Sequence, residues 1–282
     1  MRDDFAVFIV SHGRADRVVT VPTLDICGYT GKWYIVIDDE DEQENEYRKR
    51  YGDKVIQFSK KAYDGKFDIM DLHNDRRVVV YARNAVFDIA RSLGIRYFLV
   101  LDDDYKDIEH RYIENGKLYG RKVSHFDVLC DAMVEFLQVS GACSIAFAQG
   151  GDFIGGADSG NLEKGLLRKV MNTWFCDTEK QFEIIGRLNE DTNTYTYLGT
   201  QGKLFFTVTS VMITQEQTQA NDGGLSDIYR DVGTFVKSFY SVMCAPSCVR
   251  VAAMGDTSYR VHHEVKWNNC TPKILSDKWR KA

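Results

Sequence analysis

The chain has 282 residues, 44% of them hydrophobic and 27% charged, with three prolines and a formal net charge of -5. That length buries most of the surface of one large α/β domain or two small ones, so folding needs no disulfide or metal staple. The acidic balance argues against a protein that grips a polyanion through its overall field, and no run reaches the roughly 18 apolar residues of a membrane span.

After Met1-Arg2-Asp3-Asp4 the apolar stretch ends too soon for a signal peptide, so a soluble, cytoplasmic protein is expected. Seven cysteines, odd in number and scattered from Cys27 to Cys270, fit reduced thiols. The closest pair, Cys244 and Cys248, reads as buried small hydrophobes rather than zinc ligands.

Phe5-Ala-Val-Phe-Ile-Val10 predicts a first strand, ending at the polar Ser11-His12-Gly13-Arg14. Lys32 to Ile37 predicts a second, ending at Asp38. The acidic block from Asp38 to Glu46 reads as a solvated loop and helix start, with Asp38 alone placed to touch a nucleotide. Lys54 to Phe58 is a third strand. Ala82 to Arg91 reads as a helix with Ala85, Ile89 and Leu93 along one face, stopped by Gly94. Tyr97-Phe-Leu-Val-Leu101 is then a fully apolar strand ending at Asp102-Asp103-Asp104. Apolar strands separated by amphipathic helices predict an α/β fold, with a mostly parallel sheet covered on both faces.

Farther on, Phe126 to Val139 predicts a helix and Cys143 to Ala148 a short strand. Gly150 to Gly160 holds five glycines without a closing Gly-Lys-Ser/Thr, which makes it a lid or a plain surface loop rather than a phosphate cradle. Lys203 to Ile213 fits strand or helix equally. Phe235 to Met243 and Cys248 to Ala253 flank Pro246. One continuous domain with an elaborated C-terminal half is expected.

The three aspartates carry the chemistry. Acids at the carboxyl end of a strand sit where open α/β sheets bind ligands. On an extended backbone Asp102 and Asp104 lean the same way and Asp103 the other. Adjacent carboxylates repel, and a divalent cation with a taste for hard oxygen, magnesium or manganese, relieves that cost. The competing reading is an acidic turn or helix cap. Arg260-Val-His262-His263-Glu264 adds two histidines, of which one at most is expected to reach the metal because neighbours on a strand diverge. Gly13 permits close approach to a ligand, and Arg14 is placed for phosphate or base. Arg83-Asn84 is read near a helix N-terminus, where anions bind well. Asn189-Glu190-Asp191-Thr192 is either an ordinary helix cap or a pair of working acids.

Together, Phe5-to-Ala15, Tyr81-Ala-Arg-Asn84, Phe98-to-Asp104, Gly186-to-Asp191 and Arg260-to-His263 resemble the GT-A class of glycosyltransferases. With Asn-Glu-Asp, Pro246-Ser247 and His-His combined, the chain is most similar to the TET/JBP-associated glycosyltransferase group of phage DNA-modification systems. The resemblance implies a GT-A-like, Rossmann-type sheet flanked by helices and a C-terminal acceptor region. Residues 1–110 would form the nucleotide-sugar-binding half, and 111–282 the half that binds acceptor and completes the metal site. It implies Ser11, Gly13, Arg14, Asp38, Arg83, Asn84, Asp102 and Asp103 around a nucleotide sugar, UDP-glucose foremost. Asp102, Asp104 and His262 or His263 would hold Mn2+ or Mg2+, and Asp191, or Glu190 in its place, would act as catalytic base.

The implied acceptor is the hydroxyl of a hydroxymethylated pyrimidine, such as 5-hydroxymethylcytosine, in double-stranded DNA, within the host cytoplasm if the chain is phage-encoded. Trp174-Phe175, Tyr195, Tyr197, Phe205 and Phe206 are either an acceptor surface or core, and Lys164, Arg168, Lys169 and Arg187 are available for local phosphate contacts. A glycan, protein or small metabolite as acceptor, and a binding module without turnover, are the alternatives. Oligomeric state stays open.

Overall fold

A computed structural model describes residues 1–70, 76–216, 235–254 and 260–274. Strand β1 (Phe5–Val10) consists of six apolar residues, all buried. Alternate side chains of a strand leave opposite faces, so such a run is stable only when both faces are covered. Phe5, Val7 and Ile9 enter one apolar layer with Leu99 and Leu101 of β4 (Tyr97–Asp102) and with Phe126, Cys130, Val134 and Leu137 of α4 (Phe126–Ser140). Ala6 and Phe8 enter the other with Phe98 and Val100 and with Ala85, Val86, Phe87 and Ile89 of α3 (Val80–Ser92). Leu93, expected on that stripe, is 41% exposed because the helix has already ended.

The remaining strands are β2 (Lys32–Asp38), β3 (Val55–Phe58), β5 (Tyr105–Glu114), β6 (Lys117–Lys122), β7 (Ser144–Ala148), β8 (Leu166–Leu167), β9 (Trp174–Asp177) and β10 (Phe205–Gln215). They form a ten-stranded sheet in the order β3-β2-β1-β4-β9-β7-β10-β5-β6, with β8 paired to β10. From the pairings, β1, β2, β3, β4, β6, β7 and β10 run one way against β5, β8 and β9. Helices α1 (Thr20–Ile26) and α2 (Glu44–Tyr51) follow β1 and β2.

Two features lie outside the expected pattern. The β5–β6 hairpin turns at Asn115-Gly116, both with positive φ (49° and 72°), as a two-residue primed turn requires. Strand β9 inserts antiparallel between β4 and β7, which buries Trp174 and Phe175 completely within the sheet. The ambiguous segment is a strand, β10. Its buried positions 207 and 209 are threonines whose hydroxyls donate to Lys169 O (2.7 Å) and Leu162 O (3.5 Å), and these polar residues on the inner face hid the alternation.

The glycine-rich segment is pinned rather than loose. Gln149 and Asp152 form a reciprocal capping box, and Asn161 of the short α5 (Asn161–Lys164) donates to Asp152 O at 2.7 Å. Helix α7 (Val236–Cys244) and a small sheet of β11 (Val249–Met254) and β12 (Arg260–Val265) pack beside α6 (Glu190–Thr200) around Ala245, Cys248, Val249 and Cys270. All seven cysteines are free. No described helix is long and apolar enough to cross a membrane.

Asn84 staples α3 to the chain entering α6. Its Nδ2 donates to Val80 O (2.9 Å) and Ile184 O (2.8 Å), while its Oδ1 accepts from Ile184 N (3.0 Å), all buried. Asn84→Ala strands the Ile184 amide and carbonyl in apolar surroundings, so a loss of about 2–3 kcal/mol is expected in urea denaturation; a change below about 0.5 kcal/mol would show the staple to be idle.

Candidate functional site

Strands β1 and β4 are neighbours although β2 and β3 intervene in sequence, so the order of the sheet reverses between them. That switch point opens a crevice at the carboxyl ends of the strands. Val10 pairs with both Val36 and Asp102, which brings Ser11, Asp38 and the three aspartates to one edge.

Asp102 and Asp103 diverge, Asp102 ending β4 and Asp103 opening the turn that follows it. Asp103 is 3% exposed and both its oxygens are engaged: Ser11 Oγ donates to Oδ2 (2.5 Å) and Arg14 Nη1 to Oδ1 (2.9 Å). Tyr47 of α2 lies within 2.6 Å of Ser11 Oγ and accepts from Arg14 N at 2.9 Å. Gly13, with φ +66°, donates from its amide to Asp41 Oδ2 at 2.8 Å. Ser11 and Arg14 are thus fixed from below, and Asp103 is the residue that fixes them.

Asp102 turns the other way and accepts from Arg83 Nη2 at 2.8 Å. Arg83 Nη1 donates to Glu190 Oε1, and the arginine itself is 2% exposed. Arg83 and Asn84 lie a turn inside α3, so the expected anion-binding role at a helix start does not hold. Arg83 is an internal counter-ion and Asn84 a structural staple. Asp104 Oδ1 is buried without any hydrogen-bond partner among the described residues. Burial first, then repulsion from Asp102 and Asp103, pushes the Asp104 carboxyl up to about 7.

The late histidines lie at the start of α6. His263 Nδ1 is 3.1 Å from Asn189 Nδ2, its Nε2 is 3.4 Å from Thr192 Oγ1, and the His262 ring lies 4.3 Å from it. Burial, His262, Lys237 and Lys169 depress His263 to about 4, leaving its imidazole neutral near pH 7. Among the described residues no three His, Cys, Asp or Glu side chains gather closely enough to share a metal. The set Asp102, Asp104, His262 and His263 is therefore not assembled, because Asn189 and Thr192 hold the His263 ring at the start of α6.

Asn189 precedes α6 with φ +54°, a left-handed conformation that is costly for a side-chain-bearing residue, and its Nδ2 donates to Lys237 O (3.1 Å) and Ser241 Oγ (3.0 Å) of α7. Gly186, just upstream, tolerates no side chain, since a Cβ there would stand 2.2 Å from Asn193 Nδ2. Glu190 and Asp191 are 6% and 7% exposed. Burial raises both carboxyls, Glu190 to about 7. Glu190 is held by Arg83, whereas the Asp191 carboxylate accepts from Thr192 N at 2.6 Å.

Several neighbours escaped the sequence reading. His12, half-exposed, holds buried Asp38 through Nδ1 (2.7 Å), and that bond raises its pKa; Lys60 Nζ lies 3.1 Å from the other Asp38 oxygen. Tyr105, fully buried beside Asp102, Arg83, Asp104 and Asp191, donates to Asn172 O at 3.0 Å. The first was visible in Ser-His-Gly-Arg; nothing local marked Tyr105.

The aromatics open between acceptor surface and core are mostly core. Tyr195 and Phe205 are 6% and 3% exposed, Phe206 is partly buried against the core, and only Tyr197 (44%) stands well clear. Lys169 pairs with buried Asp152, Arg187 is 3% exposed, Arg168 donates to Cys270 O, and Lys164 donates to Asn161.

A carboxyl raised by folding keeps its proton where the unfolded chain has lost it, so stability falls as pH climbs from the ordinary 3.8 toward about 7. Asp104→Asn removes that cost. In cation-free buffer the variant is expected to match the parent near pH 4 and to exceed it by about 1–3 kcal/mol at pH 8 in urea melts. Equal stability at pH 8 would contradict the strained carboxylate.

A solved structure, glucosyl-3-phosphoglycerate synthase from Mycobacterium tuberculosis in complex with Mn2+, uridine diphosphate and phosphoglyceric acid, is similar at 10% identity and TM-score 0.44, over 93% of this chain and 87% of that one. No curated protein sequence matches. The sequence profile described as TET-Associated Glycosyltransferase matches residues 5–224, a span that includes the β1 loop, the three aspartates and the start of α6. The chain belongs to the TET-associated glycosyltransferase family.

Proposed function

We propose that the chain transfers glucose or a close relative from a UDP-linked sugar to the hydroxyl of a hydroxymethylated pyrimidine in DNA, with Mn2+ or Mg2+ held by Asp102 and Asp104. The observation that carries the metal is the buried, unpartnered Oδ1 of Asp104 beside two further carboxylates. Two carboxylates with the remaining positions left to phosphate oxygens and water are what such a cation asks of a protein. When bound, it screens the charge that develops on the departing diphosphate.

The chain's own residues do the rest. Ser11 and Arg14, fixed by Asp103 and Tyr47, and Gly13, fixed by Asp41, shape the nucleotide pocket together with Asp38. Asp191 takes the proton from the acceptor hydroxyl while the bond from the anomeric carbon to diphosphate breaks and the bond to the acceptor oxygen forms. Glu190 is the poorer base because Arg83 holds it. A carboxyl raised by burial is closer to the pKa that a base needs near neutral pH. With the histidines engaged at α6, His263 supports the acceptor side through Asn189 and Thr192.

One observation favours a different acceptor, a glycan, protein or small metabolite. The net charge is -5, Arg187 is interior, and Lys169 is engaged by buried Asp152. The decisive experiment incubates the protein with manganese, a panel of nucleotide sugars, and plain or hydroxymethylated DNA. Release of a nucleoside diphosphate with one hexose mass added only to the modified DNA is expected, as is a steep fall in rate with added salt. Turnover on a glycan with neither DNA labelled would overturn the acceptor.

Asp191→Asn is expected to lower kcat by about 100-fold or more while leaving UDP affinity within about two-fold. Equal loss in both would make Asp191 a structural cap.

A further inference from the structure

Arg83 lies on α3, yet two carboxylates from distant parts of the chain share its guanidinium. Nη2 donates to Asp102 Oδ1 at 2.8 Å, Nη1 donates to Glu190 Oε1, and the buried Nε has no hydrogen-bond partner among the described residues. Arg83 and the Glu190 carboxylate are buried, so water screens that contact poorly, whereas Asp102 keeps a solvent-facing side from which a cation can approach. Asp102 ends the donor strand. Glu190 opens the helix whose next residue is Asp191.

Two anions that divide one cation are linked. Whatever strengthens one pair weakens the other, and the linkage is reciprocal. We propose that Arg83 is a positioning residue that couples the two ends of the site: the grip of Glu190 on its guanidinium decides how readily Asp102 turns to a divalent cation. The proposal rests on the glycosyltransferase reading only through a cation on Asp102 and Asp104. With Glu190 in contact, Arg83 is drawn partly off Asp102. Without that contact, Arg83 belongs to Asp102 alone and competes with the incoming cation. In the reverse direction, a cation that occupies Asp102 frees Arg83 to lean on Glu190, stiffening the start of α6 before the acceptor arrives.

The test reads free Mn2+ by electron paramagnetic resonance while the full chain is titrated in the presence of UDP, so turnover plays no part. Glu190→Asp keeps the charge but withdraws it from reach of Arg83, and Glu190→Gln removes the charge. Both are expected to weaken Mn2+ binding about five-fold or more. Asp191→Asn removes one charge a residue farther along and is expected to weaken it far less. In an Arg83→Lys background the effect of Glu190→Asp should vanish, because lysine lacks the planar fork whose two terminal nitrogens reach Asp102 and Glu190 separately.

Unchanged Mn2+ affinity in Glu190→Asp would overturn the coupling, as would equal weakening by Asp191→Asn and Glu190→Gln, which a general field alone produces. Persistence of the Glu190→Asp effect with Lys at position 83 would do the same. A parent protein that takes up no Mn2+ with UDP would instead remove the cation itself, and the coupling with it. Urea melts of each variant confirm the fold, and either substitution at Glu190 suffices if the other fails to fold.

Discussion

One buried guanidinium joins the parts of the chain that carry the acids. Arg83 touches Asp102 at the edge of the large sheet and Glu190 at the start of α6, the second contact buried and the first partly so. Burying charge is tolerable only when partners are close and well oriented. That constraint accounts for much of the local architecture: α3 must present Arg83 inward, Asn84 must fix the segment at Ile184 that leads to α6, and Gly186 must leave room for Asn193. Removing the arginine would leave the buried Glu190 carboxylate without its counter-ion, with Asp191 beside it.

The acids outnumber their partners. Asp103 is matched by Arg14 and Ser11, and Asp102 and Glu190 divide Arg83, but Asp104 retains a buried oxygen with no partner among the described residues. Such a deficit costs stability in the free protein and favours a ligand that brings positive charge. Functional sites commonly store strain of this kind. The left-handed Asn189 at the mouth of α6 is a second instance.

Much of this was legible from residue order. Continuous apolar strands such as Phe5–Val10 and Tyr97–Leu101 could only lie in a sheet covered on both faces, and their polar ends named the edge where Ser11, Asp38 and Asp102 meet. The rest depended on contacts between distant residues. Trp174 and Phe175, open between acceptor surface and core, belong to a strand inserted antiparallel between β4 and β7, a pairing no local pattern announces. Arg83 looked like an anion receptor because its carboxylates lie 19 and 107 positions away. One of His262 and His263 was expected at the metal, and His263 lies against a left-handed asparagine and a threonine of α6. The hairpin at Asn115-Gly116, by contrast, carried a local signal that the reading passed over.

The claim on which the chemistry depends is that Asp102 and Asp104 await a cation. Its most direct measurement is anomalous diffraction at the manganese edge from crystals grown with Mn2+ and UDP. A single strong peak within bonding distance of Asp104 Oδ1 and an Asp102 oxygen, with diphosphate oxygens on its open side, is the expected result. A peak elsewhere in the molecule, or UDP bound with no metal beside these two acids, would contradict it.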